Sequence, residues 1–356
     1  MTAILREFTR AADERLLALQ AWMLLDKHAA YGISASRIFV GIAMLGILVA
    51  NFPQRHILWG QASFWAQPER DNSRFGWLLG VFDVESPALF TTMYLALMAV
   101  TVAVILGWRT RVMTLLLAVG MAALVERAPM VGDQGDNIAR IGLTLMVLMS
   151  AAEHWSLDAR RRRRAREQHD VDSFSLGRKL WYGLPVLPTW LTNPLHNVAL
   201  MTLAMQIFIL YTASALFKVQ GELWQQGTAF YYPLSLHEYG VFPWLNELLV
   251  ANAAFVTIAT YVSIYVQLFF AVGLLHPVSR RLALIGILLF HGSIAVLMGL
   301  PWFSLAMLAF DAIFISTRTY ERVNSALRHT GARLQERWAQ KKATAAPAPE
   351  AKTAAD

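Results

Sequence analysis

Along this chain the apolar residues gather into long unbroken runs, and eight of them approach or reach the roughly 20 residues that a helix needs to cross a bilayer. They cover about 34–51, 88–106, 112–125, 138–151, 198–217, 253–275, 282–298 and 302–316. A backbone surrounded by lipid must satisfy its own hydrogen bonds, so such runs predict helices. The expected fold is an all-α, polytopic transmembrane helix bundle of about eight spans. The third and fourth runs are short, and their flanking Arg111, Glu126, Asp136 and Glu153 imply snorkelling side chains or helices longer than the apolar stretch.

The polar positions between the runs test the count. With eight spans, one side of the membrane receives 24 basic residues, including Arg160 to Arg164 and the C-terminal tail, and the other only Arg55, Arg70, Arg74, Arg127 and Lys218. Basic residues concentrate in cytoplasmic loops, so both termini are expected to be cytoplasmic. Residues 1–30 carry Leu16, Leu17, Leu19, Trp22, Met23 and Leu24 opposite charged positions. They predict an N-terminal amphipathic cytoplasmic segment at the inner headgroup level, or a short soluble cap, rather than a cleaved signal. The transmembrane domain is then 31–316, with a basic cytoplasmic loop at 153–196. Two outer loops, 52–87 and 218–252, are rich in aromatics suited to the interface, among them Trp59, Phe75, Trp77, Phe82, Trp224 and Trp244. A basic cytoplasmic tail follows at 317–356, expected to be disordered from about 341.

Composition agrees with this reading: 56% apolar and 15% charged residues are unlike a soluble domain. The net charge of +7 is accounted for by the inward-facing loops and does not require a nucleic acid. Without cysteine the chain has no disulfide, thiolate metal site or redox CxxC pair. The nine histidines show no metal-ligand spacing, and no Walker loop, GxGxxG or GxSxG is present.

Ionisable groups inside spans are costly and need a partner or a task. Arg37 near the inner end of the first span and Asp311 near that of the last are expected at one depth, as a structural ion pair. Asp136 and Arg140, four apart, can pair on one helix face, with Asp136 also available as a cap. Tyr211, Ser214, Lys218 and Glu222, at spacings of 3, 4 and 4, line one face of the fifth span. Lys218 can snorkel and pair with Glu222. Alternatively, an amine kept away from water becomes a base able to take a proton from carbon, with Arg140 near it. His291, in the middle of the seventh span, is either a hydrogen-bonding strut or a participant in that chemistry.

Several segments together resemble the horizontally transferred transmembrane (HTTM) domain superfamily, which includes the membrane part of the vitamin K-dependent gamma-carboxylases. The segment YTASALFKVQGELWQQG, from Tyr211 to Gly227, is similar to the carboxylase stretch of a span-ending lysine followed by an acidic residue, Trp and Gly. FHGSIAVLMGLPWFSLAMLA, from Phe290 to Ala309, is similar to a second. By that resemblance Lys218 matches the catalytic base, His291 is a further catalytic position, and reduced vitamin K or another quinol is the implied cofactor class. Tyr211, Ser214, Glu222, Arg140, Asp136 and Trp224 are the candidate substrate-binding residues around them. The opening YGISASRIFVGIAMLGIL, with Arg37, looks like the first span of short bacterial members of the sporulation-delaying type, which act in maturing a secreted peptide toxin. The carboxylases continue into a large extracytosolic domain that this chain lacks, so glutamate carboxylation is not expected.

Three functions compete. One is an intramembrane enzyme using a lysine base on a quinol-like substrate or a membrane-bound peptide. The second is a non-catalytic cell-membrane factor that binds a hydrophobic peptide or lipid for maturation, export or protection. A transporter ranks third, since no matching pair of broken spans is visible.

Overall fold

The computed structural model describes residues 2–66 and 80–344. Phe75 and Trp77 of the first aromatic connection, and the tail beyond 344, lie outside the described residues. The described residues contain helices and no strand. They belong to two compact units, the first reaching Phe314 and the second beginning at Ile315.

The first unit starts with α1 (Thr2–Leu24), α2 (Ala30–Ala50), α3 (Pro87–Leu106), α4 (Thr110–Arg127) and α5 (Gln134–Leu148). The basic connection follows as α6 (Leu157–Gln168) and α7 (Leu176–Tyr182), and then the 32-residue α8 (Thr189–Gln220). After α9 (Pro243–Val250) come α10 (Ala253–Leu268), α11 (Pro277–Leu297) and α12 (Pro301–Asp311). The second unit, described by itself, contains α13 (Thr317–Thr344), a helix that extends past position 341.

Each apolar run thus lies on a helix, and local sequence explains where the helices begin. Ser86 caps α3 by accepting from Leu89 N ahead of Pro87, and Asn252 caps α10 by accepting from Phe255 N. Among the described residues, four helices are long and apolar enough to span a membrane: α2, α3, α8 and α11. The pair α9 and α10, bent by 96°, makes a fifth if it is counted as one broken span. The remaining runs fall on shorter or more charged helices: α4, which carries Arg111, Glu126 and Arg127, α5 with 15 residues, and α12 with 11.

Helix α2 is the most buried of the four long apolar helices. In α2 61% of the most apolar stretch is buried, against 28% in α3 and α8 and 17% in α11. It packs on α3 and most extensively on α12, which in turn touches α5 and α11. Small residues permit the α2–α12 approach: a Cβ at Gly32 would lie 2.7 Å from Ala312 O, and one at Gly46 would enter the Trp302 ring. Leu282, Leu288 and Leu289 of α11 stand exposed, as does Phe217 of α8. Such faces are liabilities in water and ordinary in lipid.

The aromatics of the first connection divide. Trp59 and Phe82, expected at the interface, are buried in the core beside Tyr94 and Phe90, whereas Phe64 and Trp65 are exposed. The reason is Arg127 at the end of α4, which donates to Trp59 O and pairs with Asp83 at 2.7 Å, drawing the connection onto the bundle. The arginine-rich α6 is tied down as well. Its Asp158 accepts from Arg109 N, Thr110 N and Thr110 Oγ1, capping the start of α4, and pairs with Arg161 at 2.9 Å.

Candidate functional site

Spacings of 3 and 4 on α8 place Tyr211, Ser214 and Lys218 on one face, and four other elements close around it. From α10, Gln267 Oε1 accepts from Lys218 Nζ at 2.6 Å and from Ser214 Oγ at 3.3 Å. The chain turns at Gly221 into the short helix Glu222–Gln225, which brings Trp224 back so that Lys218 Nζ lies 4.8 Å from its ring centroid. Phe290 of α11 offers a second ring, also at 4.8 Å. The ammonium is therefore part-buried between two aromatic faces with a neutral amide oxygen as its acceptor. Each of these contacts favours a positive charge.

Two turns back along α8, about 10 Å by helix rise, Tyr211 anchors a deeper cluster. Its hydroxyl donates to Asp311 Oδ2 of α12 at 2.8 Å and lies 3.4 Å from His291 Nε2 of α11. Phe270 meets the tyrosine ring edge-on at 4.9 Å, and Phe290 and Phe303 flank the imidazole. Tyr211, His291 and Asp311 are almost wholly buried. With the tyrosine proton committed to Asp311, the imidazole nitrogen facing it is the one that donates. His291 Nδ1, Asp311 Oδ1 and, on the same helix α12, Ser304 Oγ are buried without a hydrogen-bond partner.

The other predicted pairs are distributed differently. Arg37 and Asp311 form no ion pair. Arg37 instead donates to four backbone carbonyls: Ala151 at 3.0 Å, Val104 at 2.5 Å, Ile105 at 2.6 Å and Trp155 at 2.9 Å. Two of these lie in the last turn of α3, where carbonyls run short of helical partners, Val104 O having only Gly107 N besides, and a cation is favoured, so the arginine is occupied before it can reach a carboxylate. Asp136 and Arg140 do not pair either. Asp133, not Asp136, is the cap of α5, the two aspartates form a reciprocal capping box, and Arg140 donates to Asn137 at 3.3 Å. Glu222 is exposed and accepts from Gln226, leaving Lys218 to Gln267. No described contact of Lys218 involves Arg140.

Sequence reasoning missed Gln267, whose neighbours in α10 are apolar, and missed Asp311 as the partner of Tyr211. A buried glutamine in an apolar helix is itself a signal, since an amide in lipid needs partners. Also missed was the clamp on α1: Asn197 Nδ2 donates to the carbonyls of Trp22, Met23 and Asp26, and Asn193 Nδ2 to those of Leu24 and Leu25. Among the described residues, no group of three or more His, Asp or Glu side chains is placed to hold a metal ion.

Compared with curated proteins, the chain is 26% identical over 207 residues to sporulation-delaying protein SdpB of Bacillus subtilis (strain 168). The match covers 56% of this chain and 55% of that protein, so the chain spans about half the length of its curated relative. No family model matches the chain, and no solved structure does. The apolar helices and this distant relative together point to a membrane protein.

Proposed function

We propose that the chain is a multi-pass cell-membrane protein of the HTTM type, with eight spans, both termini cytoplasmic and Lys218 toward the outer leaflet. It binds a hydrophobic peptide or lipid there, for maturation, export or protection. The distant likeness to SdpB supports a membrane protein, and the resemblance of the opening and Lys218 segments supports HTTM membership and, with it, a role beside a small peptide. The observation that carries the binding reading is the setting of Lys218: a part-buried ammonium held by two rings and an amide oxygen, with no acidic partner among the described residues. A cation so placed is built to meet a ligand.

A second reading has its own support. Phe290 lies against Lys218 Nζ, and the next residue, His291, keeps Nδ1 unpaired, so a group able to accept a proton stands unused on the same helix. In that reading Lys218, as a free amine, removes a proton from a quinol-like substrate or a membrane-bound peptide, and reduced vitamin K or another quinol is the cofactor class.

One pair of substitutions separates them, because arginine keeps the charge and does not lose its proton. A hydrophobic peptide carrying a diazirine is offered to the protein in nanodiscs. Cross-linking retained in Lys218→Arg and lost in Lys218→Met sustains the binding reading. Unchanged cross-linking in both variants, with any cellular phenotype lost in both, would transfer the site to base catalysis.

A further inference from the structure

The donors around Gln267 point to a ligand group. Its Oε1 is occupied twice, by Lys218 Nζ at 2.6 Å and Ser214 Oγ at 3.3 Å, and this fixes the amide with Nε2 on the other side. Gln267 is buried as a residue, yet its Nε2 donates to no described group and is not among the atoms sealed off without a partner, so it stays open to a ligand. Lys218 Nζ carries three N–H bonds, and only one has a described acceptor. The rings of Trp224 and Phe290 offer π faces but no lone pairs. Among the described residues donors therefore outnumber acceptors, and the local charge is a single positive one without a counter-ion.

We propose that Lys218 Nζ and Gln267 Nε2 form a seat for one carboxylate at the end of an apolar chain, as in a fatty acid or the free C-terminus of a hydrophobic peptide. Two oxygens match two donors, and one negative charge balances one ammonium. A lysine head this close to low-dielectric surroundings gains most from a partner of opposite charge, while the exposed Phe217 and Leu289, next in sequence to Lys218 and Phe290, suit an apolar tail. This inference rests on the binding reading and names the chemistry of its ligand.

The test compares head groups on the unaltered protein. Purified full-length chain in nanodiscs is titrated with palmitate and with cetyl alcohol, which share an apolar chain and differ in charge, and binding is read as a thermal shift. A parallel titration uses one hydrophobic peptide as free acid and as C-terminal amide. The acid forms should bind about tenfold more tightly than the alcohol or the amide, the scale of one partly desolvated ion pair. That preference should vanish in Lys218→Met. Preference for palmitate alone assigns the seat to a lipid acid, and preference for the free-acid peptide assigns it to a peptide terminus. Equal binding of acid and alcohol, and of acid and amide, overturns the carboxylate seat while leaving hydrophobic binding intact. No binding of any of the four overturns both.

Discussion

Lys218 of α8 and Gln267 of α10, 49 residues apart in the chain, meet at 2.6 Å as ammonium donor and amide acceptor. This contact joins two helices and supplies the neutral acceptor that lets a cation stay part-buried without an acid. Replacing Gln267 by Leu is expected to cost about 1.5–3 kcal/mol, because a charged donor loses its acceptor. Adding Lys218→Met should recover most of it. Denaturant unfolding in detergent measures both, and a coupling below about 0.5 kcal/mol would mean that the two side chains do not interact.

Arg37 acts as a tie between α2, the end of α3 and the segment after α5. Arg37→Met removes four hydrogen bonds from a buried site, although Val104 O keeps its bond from Gly107 N, and should destabilise the protein by about 3 kcal/mol or more. Since Asp311 is bonded to Tyr211, Arg37→Met and Asp311→Asn should add within about 0.5 kcal/mol. Strong coupling between them would restore the ion pair that residue types alone suggest.

Asn197 accepts from His28 N while donating to the carbonyls of Trp22 and Met23 at the end of α1 and of Asp26 just beyond it. Asn197→Ala should free that helix before the bundle itself unfolds, a local opening of the kind hydrogen exchange resolves. Exchange should rise at positions 22–28 and stay unchanged in α2. Equal exchange in both proteins would refute the clamp.

The absence of native cysteine makes sidedness directly measurable. Single cysteines at the exposed positions Gln61 and Asp172 should behave oppositely toward an impermeant maleimide on intact cells. Gln61→Cys should be labelled from outside, and Asp172→Cys only after permeabilisation. The reverse pattern would invert the proposed topology.

His154, in the connection after α5, stacks on Tyr31 with ring centroids 3.5 Å apart. Burial holds its proton affinity below the ordinary value of 6.5, against an opposing pull from Glu153. The unfolded chain then takes up the proton first as pH falls, so stability should be constant above about 6.5 and decline below it. His154→Phe should remove this part of the decline. An identical pH profile in the variant would show that the imidazole does not contribute.

What the sequence determined on its own was local. Unbroken apolar runs produced helices at every predicted stretch because helical hydrogen bonds close within four residues, and Ser86 and Asn252 mark helix starts for the same reason. The shared face of Tyr211, Ser214 and Lys218 also follows from periodicity alone. The tertiary structure decided which atoms each polar group meets. Arg37 chose backbone carbonyls, which are invisible in a list of residue types, and Lys218 chose a glutamine on a distant helix over the nearby Glu222. In a low-dielectric interior a charge takes whatever acceptors packing brings within reach, and only the crossing of α2, α8, α10, α11 and α12 fixes which those are.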